Sequence, residues 1–228
     1  MKFTARAVAV VAALILPGSA FATTTPAEPW NPASPWDEMN LYEVYNVLYG
    51  TSYTNNSALD ALQVLPGEVF DGDVASLSVE ARYAAFWQSF GWYDAAGSGG
   101  TEHILFTVPD ADLGLIGGAG YSANITPGGA FGFFDRVGMT GHSFVLTWYS
   151  EDGLNGGDDH LVVYGTPYDY TYMLAWEDVP LGLSDLDYND LVVEIVLQPR
   201  DIVPEPASFL LLGLGLAGLI VRRVYRLS

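Results

Sequence analysis

The chain predicts a mainly β fold: an antiparallel β-sandwich, jelly-roll-like, with one or two short N-terminal helices. Three observations carry that expectation. Short runs of aromatic and β-compatible residues recur between Ser76 and Leu197, separated by Gly- and Asp-rich turns. No βαβ rhythm appears, and no Gly-rich phosphate motif follows a strand-like run. The 228 residues include no cysteine, so packing or a bound ion, not disulfides, must hold such a sandwich.

In chain order, Lys2 and Arg6 precede an apolar run from Ala7 to Leu16, then Pro17-Gly18 and the small-residue pattern Ala20-Phe21-Ala22. This is the layout of a secretory signal peptide over 1–22, removed by signal peptidase. About ten apolar residues are too few to span a bilayer. Residues 23–36 contain four prolines and read as an extended leader. The folded domain is expected over 37–200.

Leu41, Val44, Tyr45 and Leu48 follow the three-and-four spacing of an amphipathic helix that stops at Gly50. Ser57 is placed to cap a second short helix through Gln63, with Leu59 and Leu62 facing in. From Ser76 to Tyr93 the chain reads as β, with Val79, Ala81, Tyr83 and Ala85 on one face. Phe86, Trp87, Phe90 and Trp92 then break the alternation, which points to a bulge or to burial on both faces. Further strands are expected at 103–108, 130–135, 143–150, 160–165, 170–177 and 191–197, with 110–127 as a Gly-rich connection.

Charge narrows the function. Residues 23–203 hold 26 acidic and three basic side chains, a net −23. Nucleic acid is excluded, because binding it requires Lys and Arg to displace phosphate counterions. The surplus suits an extracellular protein, a divalent-cation binder, or both. It peaks between Glu177 and Asp190, where five carboxylates and one Asn occur with no Lys or Arg. Carboxylates so close repel one another unless water or a cation neutralises them.

At the other end, Val203-Pro204-Glu205-Pro206 leads into an apolar run, 207–221, rich in Leu and Gly, and then Arg222-Arg223 and Arg226. As a helix, 207–221 would be about 22 Å long, short of the ~30 Å hydrocarbon core. The arginines would keep the extreme C-terminus cytoplasmic during a transient inner-membrane insertion. Motif, short span and basic tail in this order resemble the PEP-CTERM sorting signal of Gram-negative bacteria, over 201–228. The resemblance implies processing by an exosortase and delivery to the cell surface or extracellular matrix. The plain alternative is a retained single-pass anchor.

The acidic turn offers alternating oxygen ligands, Asp185-Leu186-Asp187-Tyr188-Asn189, but it is no EF-hand: Asp190 and Val196 stand where that loop needs Gly and Glu. Ca²⁺ takes six to eight oxygens, and the remainder can come from Glu177 and Asp178 or from the second acidic loop, with Asp152, Asp158 and Asp159. Asp152 to His160 together with Trp176-Glu177-Asp178 and Tyr188-Asn189-Asp190 resemble the family called domain of unknown function 4114. That resemblance implies a β-rich exported domain and carries over Glu177, Asp178, Asp187, Asn189 and Asp190 as its motif, without a reaction. The bland reading of both loops is solvated turns in which Asp and Asn cap backbone groups.

No catalytic residue is assigned. His103, His142 and His160 are not spaced as metal ligands, and no Gly-x-Ser-x-Gly elbow occurs. The expected function is therefore a non-enzymatic surface or matrix protein whose sandwich is stabilised by Ca²⁺. The alternative is a carbohydrate-binding module or glycoside hydrolase acting on exopolysaccharide, with Tyr164, Tyr168, Tyr170 and Tyr172 as an aromatic platform and a pair such as Asp158/Asp159 or Asp187/Asp190 as catalyst.

Overall fold

The computed structural model describes residues 26–27, 38–64, 69–71, 74–94, 100–138, 143 and 145–198. The signal peptide, most of the leader and the C-terminal sorting segment lie outside them, as does His142. Among the described residues no helix is long and apolar enough to cross a membrane.

Among the described residues, ten strands form two antiparallel sheets: β1 Val74–Arg82, β2 Trp87–Asp94, β3 Glu102–Val108, β4 Gly114–Leu115, β5 Ser122–Ile125, β6 Phe131–Gly138, β7 Val145–Tyr149, β8 Leu161–Gly165, β9 Thr171–Trp176 and β10 Leu191–Gln198. One sheet has the order β4-β1-β10-β9-β8, with β5 pairing β1 beside β4; the other is β3-β2-β6-β7. The first and last strands thus adjoin in one sheet, and hairpins alternate between the two. Residues 76–93, expected as one run, are two strands. The chain leaves the first sheet at Arg82 and enters the second at Trp87, so the lost alternation marks a crossover. Residues 110–127 contribute two short strands, β4 and β5, to the edge of β1.

Period-two alternation sorts the side chains into two cores. Leu191, Val193 and Ile195 of β10, Leu174 and Trp176 of β9, and Leu161 and Val163 of β8 face the second sheet, meeting Phe90, Val108, Phe131 and Phe133. Phe90 and Trp176 are in edge contact, with ring centroids 6.2 Å apart. The intervening Val162, Tyr164, Met173, Ala175 and Val192 face outward and are covered by a third layer. This explains why these strands read as apolar on both faces.

That layer is helical. The helix α1, Leu41–Tyr49, buries Leu41, Val44 and Tyr45 as its spacing predicts, while Tyr49 is buried and the expected Leu48 only half-buried. The Glu43 carboxylate accepts from the Asn40 backbone N–H at 2.9 Å, closing the first turn. Gly50 ends the helix in the left-handed region, φ +64°. The second helix is a 3₁₀ segment, Asn56–Leu62, and its cap is Asn55, whose Oδ1 accepts from the Ala58 N–H, rather than Ser57. Asn56 also fixes the leader: its Nδ2 donates to the Ala27 carbonyl, and the Ala27 N–H donates to the Leu186 carbonyl.

Candidate metal centre

Strand register builds the first part of the site. In the β9–β10 pair, Trp176 lies opposite Leu191, so Glu177 and Asp178, just past the end of β9, meet Asp190, just before β10. The Asp178 N–H donates to Asp190 Oδ2 at 2.9 Å. Glu177, Asp178 and Asp190 each offer a carboxylate oxygen, all within 4.8 Å of one another. Glu177 is 1% exposed and Asp178 3%. Neither Glu177 oxygen nor Asp178 Oδ2 has a hydrogen-bond donor in bonding geometry.

Electrostatics follow from that burial. Desolvation, and next the Glu177 charge, push the Asp178 carboxyl up to about 7, against the pull of Arg82. Burial holds Asp190 well above the usual carboxylate range, reinforced by Asp178, Glu177 and Asp187. Glu177 is raised chiefly by burial, although Asp190 and Ser184 lie close enough to favour its ionised form. Three such groups cannot all be charged here without a compensating cation or protons.

One buried cation stands nearby. A register shift in β1 between Val79 and Ala81 puts Ala81 in the helix-facing core and lets Arg82, fully buried, turn toward the space between the sheets. Arg82 Nε donates to Gln88 Oε1 at 2.9 Å and Nη1 to the Asp112 carbonyl at 3.1 Å. Gln88 passes the interaction on to Asp135 at 3.2 Å. The single guanidinium therefore faces Asp178, Asp135, Asp110 and Asp190 together.

A second carboxylate grouping, Glu38, Asp185 and Asp187, also has one oxygen from each within 4.8 Å. The turn around it alternates in handedness, with Leu186 at φ +63° and Tyr188 at φ +57°. Left-handed non-glycine residues are strained by roughly 1–3 kcal/mol each. Tyr188 offsets its share by burying its ring in the helix-facing core and donating its OH to the Asp159 carbonyl at 2.6 Å. Burial, then Asp185 and Glu38, raise Asp187 to about 8.

The second acidic loop packs against the first through backbone groups. The Glu177 N–H donates to the His160 carbonyl, and His160 Nδ1 lies 2.9 Å from the Glu177 carbonyl. Trp148 stacks on His160 with ring centroids 3.7 Å apart and donates its Nε1–H to the Asp178 carbonyl. The carboxylates of Asp152, Asp158 and Asp159 belong to neither grouping. Asp152 opens a 3₁₀ turn, Asp158 is exposed, and Asp159 Oδ1 accepts from the Leu161 N–H. Asn189 is fully buried, with Nδ2 on the Met39 carbonyl.

The four tyrosines do not form one exposed cluster. Tyr164 is fully buried in the outer core and Tyr172 packs at the margin of the inner one, because β8 and β9 alternate; only Tyr168 and Tyr170, on the hairpin between them, are exposed. His103 stacks on Trp92 and lies 3.1 Å from Asp94. Sequence reasoning missed Glu38 and Arg82: one is distant in the chain and the other is turned inward by a bulge.

Comparison with known proteins places residues 203–224 in the family described as the PEP-CTERM protein-sorting motif. The motif marks an exported chain processed by an exosortase, carried across the inner membrane to the surface or the extracellular space. This match does not confirm the resemblance to domain of unknown function 4114. No curated protein and no solved structure matches the chain.

Proposed function

We propose that the exported domain is a non-enzymatic surface or matrix module whose β-sandwich is locked by Ca²⁺ held between Glu177, Asp178 and Asp190. The observation that supports this reading is the set of buried carboxylate oxygens without donors at the β9–β10 junction. Hard oxygen ligands, several of them able to bind through both atoms, suit Ca²⁺. The ion would bridge two strands that each belong to the core, so binding adds to folding free energy. Inside the cell, where free calcium is scarce, the repelling carboxylates keep this junction loose; after export, calcium closes it.

A saccharide-binding surface is the second reading, favoured by the exposed rings of Tyr168 and Tyr170. Terbium luminescence tests the calcium reading, because Trp148 and Trp176 stand beside the site and can sensitise a bound lanthanide. Emission excited through tryptophan should appear, be displaced by Ca²⁺, and fall sharply in the Glu177→Gln/Asp190→Asn double variant. Emission that is absent, or unchanged in that variant, overturns the reading.

A further inference from the structure

We propose that Glu38, Asp185 and Asp187 form a second divalent-cation site, and that it fastens the N-terminal arm and helical layer to the sandwich. The proposal rests on the calcium reading of the acidic turn, but it concerns different ligands and a different consequence.

The three carboxylates come from two distant parts of the chain. Asp185 and Asp187 belong to the turn before β10, and Glu38 lies just ahead of α1. Acidic side chains often gather without an ion, so proximity alone decides nothing. Burial does. Asp187, one of whose carboxylate oxygens lies in the grouping with Glu38 and Asp185, is 1% exposed, and its Oδ2 has no hydrogen-bond donor. Its neighbour Asn189 is likewise fully buried with Oδ1 unpartnered.

Among the described residues there are two arginines and no lysine. Arg82 is engaged with Gln88 and the Asp112 carbonyl, and Arg136 bonds Glu102. A bound cation would bring to this group the positive charge that neither of these two arginines supplies. Oxygen-only ligands select a hard divalent ion. Asp185 is exposed and Glu38 half-buried, so the ion would retain waters on the open side.

The surrounding hydrogen bonds say what the ion would join. Asn189 Nδ2 donates to the Met39 carbonyl, one residue from Glu38. The Ala27 N–H donates to the Leu186 carbonyl, between the two aspartates. Asn56 ties Ala27 to the 3₁₀ segment and also accepts from the Tyr42 N–H of α1. The chain is thus attached to the acidic turn on both sides of Glu38, at Ala27 and at Met39. A cation between Glu38 and the aspartates would join the layer that covers the outer core to the turn that closes the inner one.

The test counts ions and locates their effect in the full-length chain in non-ionic detergent, with Ca²⁺ as the probe. Native mass spectrometry should show two calcium ions per chain. Glu38→Gln and Asp187→Asn should each leave one, and so should Asp190→Asn. Hydrogen exchange should show α1 amides slowing on calcium addition in the wild type and in Asp190→Asn, but not in Glu38→Gln. One ion, lost in Asp190→Asn and kept in Glu38→Gln, would overturn the second site and leave the first standing. One ion lost in both variants would also overturn a separate second site. No bound calcium would overturn both readings together.

Discussion

Withdrawing calcium is the sharpest perturbation for the β9–β10 junction. Extracellular calcium modules bind with Kd of roughly 10⁻⁴–10⁻³ M. At about 10 mM Ca²⁺, linkage then gives about 1.4–2.7 kcal/mol of stabilisation per site. For a domain of this size each kcal/mol moves Tm by about 2–4 °C, so one site is worth roughly 3–11 °C. Thermal melts of the full-length chain followed by circular dichroism, in EDTA and in calcium, read this directly. Asp190→Asn sharpens the test, because the amide oxygen can still accept from the Asp178 N–H while one of three crowded charges is removed. In EDTA this variant should melt higher than wild type, since its neighbours lose a repelling partner; in calcium it should gain little. The two effects have opposite signs, which loss of packing cannot produce. A variant that melts lower than wild type by the same margin in both buffers would refute the reasoning.

Three further outcomes follow from the geometry. Without calcium, Tm should fall as pH rises from about 4 to about 8, because Asp178 and Asp187 keep protons in the folded chain up to about 7 and about 8, whereas unfolded Asp releases them near 3.9. Their contribution is present at low pH and lost through the folded values, and calcium should flatten the slope; a Tm rising over this range in EDTA would contradict the burial argument. Arg82→Met should cost about 3–5 kcal/mol, because it leaves Asp135 and Asp178 without their guanidinium; denaturant melts showing a loss under 1 kcal/mol would mean the buried charge is already balanced. Replacing Pro204, Glu205 and Pro206 by Ala should leave the precursor uncleaved in the inner-membrane fraction, and normal release would exclude the motif as the processing signal.

Much of this was legible in the sequence because it depends on local rules. Short β-compatible runs between Gly- and Asp-rich turns predict strands at 160–165, 170–177 and 191–197, and the antiparallel return of β9 into β10 obliges Glu177 and Asp178 to meet Asp190. What stayed hidden depends on distant pairing. Glu38 joins Asp185 and Asp187 only because α1 is laid across the outer face of β8–β10, and no spacing encodes that. The break at Tyr83 to Phe86 escaped notice because a strand changing sheets is as apolar as one buried on both faces. β4 and β5 are too short to show a period, and they exist as strands only because β1 offers an edge. Asp152, Asp158 and Asp159 resemble ligands in composition, and no sequence spacing tells that their carboxylates stand outside both groupings.

The position of β10 also has a mechanical side. It lies between β1 and β9, so it is hydrogen-bonded along both edges, and it ends at Gln198, five residues before the matched sorting motif begins. Were the sorting segment inserted in the membrane as its sequence predicts, any tug on the domain would be delivered through this one strand. A pull along its axis loads both ladders in shear, so many hydrogen bonds must fail together, whereas an edge strand such as β8 can be peeled one bond at a time. The strand that leads to the sorting motif is therefore one of the hardest in the sandwich to extract.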